Sequence, residues 1–305
     1  MFVTGKGGVG KTSVSAALAL LAARRGQRTL VCEMDAKGSL AAAFDTSPLE
    51  FRPRSIAPDL WAMAMNTEDS LREYLRLFVR VPLLAKIGPL ARTFDFVADA
   101  APGVKEILAV GKLCYEVRER HYDLVVVDAE ATGHIVAQVG APKVIRDLVK
   151  VGLVRDQTGW MLDLLQDPTV TGVAIVTTPE EMPVTETTEL LERLGAETGV
   201  EPSAVVANRV LPALFDRSEA AVVEHLDDAR DLLVDAAGRG VTAVVEAARI
   251  TEARRRIGAA HLDRLRAATG ELPILIVPEL FTRATGRRVV ELVADALADE
   301  IDTET

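Results

Sequence analysis

Phe2-Val3-Thr4-Gly5-Lys6-Gly7-Gly8-Val9-Gly10-Lys11-Thr12-Ser13-Val14 decides the fold. Gly5 through Thr12 satisfies the spacing G-x-x-x-x-G-K-[ST], which describes a phosphate-binding loop. The context fits as well. A short apolar strand, Phe2–Thr4, precedes the loop, and a helical pattern, Thr12–Arg25, follows it. Glycines let backbone N–H groups turn toward phosphate oxygens, and the helix N-terminus adds partial positive charge. Gly7, Gly8, Val9, Gly10, Lys11, Thr12 and Ser13 are therefore the expected nucleotide-binding residues. Lys11 is expected to reach the β- and γ-phosphates, and the Thr12 hydroxyl to ligate Mg²⁺.

Outward from the loop, strand-like and helix-like segments alternate. Strands are expected at Phe2–Thr4, Thr29–Met34, Leu60–Met65, Leu124–Asp128, Val173–Thr177, Ala204–Asn208 and Ile274–Val277. Several are continuously apolar, as in strands covered on both faces. Helices are expected at Thr12–Arg25, Thr67–Phe78, Val104–Arg120, Pro183–Glu197 and Thr285–Leu297. This alternation implies an α/β fold, a doubly wound and mainly parallel sheet, with ligands beyond the carboxyl ends of the strands. Residues 1–305 read as one nucleotide-binding domain carrying helical insertion segments near 77–110 and 142–165. The run at 217–269 reads as long helices, broken near Gly238–Gly240. Its Arg254-Arg255-Arg256 cluster reads as a solvated helix face, and the acidic tail Asp299–Thr305 as frayed.

Composition narrows the class. The 305 residues carry a formal net charge of -10, with 49% hydrophobic and 26% charged residues. That is a folded globular profile, and the acidic balance argues against a nucleic-acid partner. The apolar run Thr12–Ala23 is short of the roughly 20 residues a membrane span needs, so no transmembrane segment is expected. The start runs straight into the glycine-rich loop, so a cytoplasmic location without a leader is expected; the short first strand leaves room for residues upstream. Cys32 and Cys114 are the only cysteines, too few for a four-thiolate zinc site.

Two aspartates end apolar strands on the side of the loop. Asp35 follows Cys32-Glu33-Met34, and Asp128 follows Val125-Val126-Val127. The second is a Walker B arrangement, expected to hold Mg²⁺ directly or through water. The extra lysine, Lys6, in K-G-G-x-G-K-[ST] resembles the deviant Walker A loop of the ParA, MinD, nitrogenase iron protein and arsenite-pump group of P-loop NTPases. In that group the lysine reaches a partner's nucleotide across a dimer interface. Asp35-Ala36-Lys37-Gly38-Ser39-Leu40 resembles switch I, D-P-A-H-[SN]-L, of the ArsA-like ATPases, which drive arsenite pumps or target tail-anchored proteins. Asp128-Ala129-Glu130-Ala131-Thr132-Gly133-His134 resembles their switch II, D-T-A-P-T-G-H. Thr178 to Thr187 resembles their T-x-P-E-x-x-P-V-x-E-T segment, and Pro102 to Glu106 their P-G-x-x-E element.

The resemblance covers nearly the whole chain and implies roles. Lys6, Lys11 and Asp35 become catalytic, with Asp35 activating the attacking water. Thr12, Asp35 and Asp128 become the Mg²⁺ set. Gly133 joins the nucleotide contacts. Asn208 becomes the adenine-reading residue, and Pro278 and Glu279 belong to the loop that closes over adenine. The implied activity is Mg²⁺-dependent ATP hydrolysis by a homodimer or heterodimer, with switch-driven movement of a helical subdomain that handles a hydrophobic or membrane-directed cargo. Two alternatives stay open: an arsenite or oxyanion pump subunit, and a low-turnover scaffold forming half of a heterodimer. The insertion faces are either a cargo groove or ordinary core. Switch I departs from the pattern at Ala36, Lys37 and Gly38, and switch II at Ala129, Glu130 and Ala131. A carboxylate at Glu130 would repel the γ-phosphate unless Mg²⁺ or Lys37 compensates it or it points outward.

Overall fold

A computed structural model of the chain describes residues 1–35, 37–74, 104–148, 153–216, 219, 222, 225, 226 and 228–304. Strands are β1 (Phe2–Gly5), β2 (Thr29–Glu33), β3 (Arg54–Ala57), β4 (Leu60–Ala64), β5 (Leu124–Ala131), β6 (Val173–Thr177), β7 (Pro202–Val210) and β8 (Ile274–Pro278). Helices are α1 (Lys11–Arg24), α2 (Ser39–Ala43), α3 (Thr67–Tyr74), α4 (Val104–Arg118), α5 (Thr132–Leu148), α6 (Leu153–Leu165), α7 (Glu181–Thr198), α8 (Arg230–Ala237), α9 (Val241–Thr269) and α10 (Arg287–Glu304).

The strands form one sheet in the order β3-β4-β2-β5-β1-β6-β7-β8. All neighbours are parallel except β3 and β4, which run antiparallel at the edge. The chain leaves central β1 for one side and later fills the other. The carboxyl ends of β1, β2 and β5 thus meet where the winding reverses, the position at which such sheets bind ligands. β1, β2 and β6 are buried at every residue, which is why they read as unbroken apolar runs.

Successive strand residues feed opposite layers. Val31 and Val126 join α1, α2 and α10 on one face; Cys32 and Val127 join α4, α5, α6, α7 and α9 on the other. Helix α1 is alanine- and leucine-rich and buried over most of its circumference, wedged between the sheet and α10.

Several expectations are corrected. The acidic tail is helical to Glu304, because α10 buries Val290, Val293, Ala294 and Leu297 and is tied down by Glu300, whose carboxylate accepts the Ile276 N–H at 2.8 Å. Strand β3, short and half-polar, carries no period that sequence reading detects. Strand β5 runs on to Ala131, and α5 opens at Thr132 without a loop. Most of the segment at 77–110 lies outside the described residues, except its end in α4. Of 142–165, Met161 and Leu165 sit in the core beside the sheet, whereas Val144 is exposed. In the run at 217–269, α8 and α9 meet at Gly238–Gly240, and Arg255 and Arg256 both bond Glu252.

Candidate functional site

The phosphate loop is shaped by two glycines with no substitute. Gly5 has φ 149°, and a Cβ there would overlap the Val176 carbonyl. Gly10 has φ 95°, and a Cβ there would overlap the Asn208 amide. Gly7 and Gly8 are exposed at the crest of the loop, Val9 is buried beneath it, and Ser13 lies half-buried in the first turn of α1. Lys11 Nζ reaches back to the Lys6 carbonyl at 3.4 Å. Burial holds its pKa below the ordinary value, with the Asp128 charge acting against that shift.

Two of the residues expected to hold Mg²⁺, Thr12 and Asp128, are brought together. Thr12 Oγ1 donates to Asp128 Oδ2 at 2.7 Å, and Ser15 Oγ donates to Asp128 Oδ1 at 3.1 Å. Asp128 is 6% exposed. Burial raises its carboxyl above the ordinary range, while the Thr12 and Ser15 hydrogen bonds pull it back. The donors are oxygens of a hydroxyl and a carboxylate, which suits Mg²⁺. A third oxygen adds to the fit: Glu33 Oε2 is buried without a hydrogen-bond partner on the neighbouring strand end. Among the described residues no three or more His, Cys, Asp and Glu side chains are arranged to hold a metal by themselves. An ion here would share its shell with phosphate and water, as Mg²⁺ does.

The switch I corner differs. Asp35 is half-exposed and paired with Lys37, which is more exposed still. That ion pair raises the Lys37 pKa through the Asp35 hydrogen bond. In switch II, Glu130 is partly exposed, and one oxygen lies 3.4 Å from His134. Its backbone carbonyl accepts the Thr4 hydroxyl at 2.9 Å. Gly133 is exposed in the first turn of α5, with open space where a side chain would stand.

Lys6 bonds Glu186 of α7, and Glu186 also accepts the Thr132 hydroxyl at 2.8 Å. Burial works to raise the Glu186 carboxyl, but the Lys6 and Thr132 hydrogen bonds win and hold it below its ordinary value. Lys6 is therefore tied to α7 and, through the shared Glu186 carboxylate, linked to Thr132 at the start of α5.

Asn208 has a role that sequence reading does not give it. Its Nδ2 donates to the Val9 carbonyl at 2.8 Å, and its Oδ1 accepts the Arg209 N–H at 3.0 Å. The amide assigned to adenine is thus engaged with the phosphate loop here. Arg209 stands in left-handed backbone, φ 58°, beside a bulge in β7. Pro278 ends β8, and the Glu279 N–H donates to Val210 at 2.9 Å, so β7 and β8 deliver both segments to one rim. Phe281 projects from that rim, 70% exposed. Sequence reading missed Glu33 and Glu186. The signal for Glu33 was an acidic residue closing a wholly apolar strand.

The sequence profile of the anion-transporting ATPase family matches residues 1–162 and 154–227. ATPase BagA of Mycobacterium tuberculosis is 32% identical over 295 residues, spanning 89% of this chain and 86% of its own length. A putative arsenical pump-driving ATPase of Halobacterium salinarum is 28% identical, over 75% of this chain and 39% of its own. An ATPase ASNA1 homolog of Entamoeba dispar is 26% identical, over 70% of this chain and 76% of its own. With a phosphate loop on a parallel sheet and these relatives, the chain belongs to the anion-transporting ATPase family and is a P-loop ATPase.

Proposed function

We propose that this ATPase is Mg²⁺-dependent and hydrolyses ATP as a dimer, coupling nucleotide state to the position of its outer helices and to a hydrophobic or membrane-directed cargo. The observation that carries the dimer is Lys6. Its ammonium is paired with Glu186 on α7. A lysine held by one carboxylate can exchange Glu186 for a more highly charged acceptor, and a partner's triphosphate is such an acceptor.

Within one chain, the N–H groups of the loop and Lys11 bind the phosphates and take up charge as the β–γ bond breaks. Mg²⁺, which Thr12 and Asp128 would hold, would supply further charge neutralisation on the phosphates. Asp35, once released from Lys37, orients the attacking water. Thr132, bonded to the same carboxylate as Lys6, ties the start of α5 to the event. Movement of Lys6 would therefore be felt at switch II, and through α5 in the helical layer. Val144 on α5, with Val244, Ile250 and Ile257 on α9, is an exposed apolar residue available to cargo.

The oxyanion-pump reading has less support from the thiols. Cys32 and Cys114 are buried, and burial pushes Cys114 up to about 12 and Cys32 higher, so neither is a ready thiolate.

The test is steady-state ATP turnover over a range of protein concentration, with Lys11→Ala as the blank. We expect the rate per mole to rise with concentration, and Lys6→Ala to keep nucleotide affinity while losing most turnover. A flat rate per mole with unchanged Lys6→Ala turnover would remove the dimer from the mechanism. Tight nucleotide binding with turnover at the blank level would favour the low-turnover half of a heterodimer.

A further inference from the structure

Glu33 is the last residue of β2 and is 3% exposed. Burying a carboxylate is costly unless both oxygens find partners. Only one does. Oε1 accepts the Ser39 N–H at 2.8 Å and the Leu40 N–H at 3.4 Å, at the start of α2. Oε2 is buried without a hydrogen-bond partner.

The direction of Glu33 follows from the alternation along its strand. Val31 faces the α1 layer and Cys32 the opposite one, so Glu33 faces α1. Asp128 faces the same layer, since Val126 does and Asp128 bonds Thr12 and Ser15 of α1. Glu33 and Asp128 are register partners on adjacent parallel strands. The chain thus keeps two carboxylates side by side at the metal corner, one of them with a vacant acceptor. A neighbouring cation with hydration water would relieve both the repulsion and the vacancy.

We propose that Glu33 is a positioning residue that couples the metal corner to switch I. Oε2 accepts a hydrogen bond from a water of the Mg²⁺ shell, while Oε1 holds the N–H groups that open α2. The inference rests on the Mg²⁺-ATP reading above and deepens it. Glu33 touches neither the nucleotide nor the reacting atoms. It sets the first turn of α2, and hence the segment from Asp35 to Ser39, according to whether the metal is present. Lys37 lies in that segment, exposed and paired with Asp35, so ordering the segment changes its access to a protease.

The test needs no turnover. Mg²⁺ is titrated by calorimetry into the full-length chain saturated with a non-hydrolysable ATP analogue. Analogue affinity is first measured in EDTA, which checks that each variant is folded at the phosphate loop. Glu33→Gln keeps the shape and an oxygen for the Ser39 N–H, so a role limited to capping α2 predicts no change in Mg²⁺ affinity. The proposal predicts a loss of about tenfold or more, the range for removing an outer-shell partner of a bound metal. Unchanged Mg²⁺ affinity in Glu33→Gln, with Mg²⁺ binding intact in the wild type, overturns the Glu33 role and leaves the ATPase reading standing. Failure of the wild type itself to bind Mg²⁺ overturns the underlying reading and this role with it.

A second measurement holds even if Glu33→Gln does not fold. A lysine-specific protease has few sites here, since no lysine follows Lys150. In the wild type, cleavage after Lys37 should slow severalfold with analogue plus Mg²⁺ and remain fast with analogue plus EDTA. Equal protection in both would contradict the coupling.

Discussion

Asp128 lies in β5 and Asp35 just beyond β2, its neighbour in the sheet, yet the protein treats them oppositely. Asp128 is buried and held by hydroxyls on both oxygens. Asp35 is half in solvent and bonded to a mobile-headed lysine, Lys37. The difference separates binding from switching. The corner expected to receive phosphate and metal is built by the packing of α1 on β1 and β5. On the proposed reading, the Asp35 corner positions water only once the γ-phosphate has drawn it in.

The contrast can be broken in order of effect. Lys11→Ala strikes the assembled corner and should lower turnover by about a hundredfold to a thousandfold in a steady-state assay, the range for removing a preorganised group that stabilises transition-state charge. Asp35→Asn strikes the corner still to be completed. Turnover should fall about a hundredfold, with analogue affinity within about threefold of wild type by calorimetry. A parallel loss of affinity would mean that Asp35 belongs to the binding corner after all.

Asn208→Ala tests how the loop is held. It leaves the Val9 carbonyl without its buried donor and should cost about 1–3 kcal/mol in urea unfolding. Glu186→Gln weakens the tether on Lys6 and should raise turnover per mole at low protein concentration by about twofold to threefold, about 0.4–0.6 kcal/mol.

Smallest is a pH effect remote from the site. Hydrogen bonds from Arg255 and then Arg256 outweigh burial and hold Glu252 at about 2, against an ordinary value of 4.5. A depressed carboxyl contributes stability above its unfolded value and loses it as pH falls through its folded one. Glu252→Gln should therefore lower the wild-type melting temperature near pH 7, and the difference should vanish as pH drops from about 4.5 toward about 2.

The assembled corner was legible in the sequence because local spacing determines it. A strand, five loop residues and a helix place Gly5, Lys11 and Thr12 with little help from elsewhere. Asp128 was legible because an apolar run ending in Asp needs few alternatives. What escaped depends on distant partners. The Asn208 contact spans 199 positions in the chain and the Lys6–Glu186 pair 180, and no periodicity encodes either. The tail read as frayed because its acidic residues surround Ile301, which packs against the α1 layer. Glu33 escaped because a strand-end carboxylate and a strand-end cap read alike until the register to Asp128 is known.

The central claim is that one corner is preassembled and the other is completed by nucleotide. Hydrogen exchange with and without Mg²⁺ and a non-hydrolysable ATP analogue tests it directly. Peptides from α1 and β5 should be protected to the same degree in both conditions, while the peptide spanning Asp35–Leu40 gains protection only with the analogue. Equal gains in all three, or strong protection of Asp35–Leu40 in the free protein, would contradict the account.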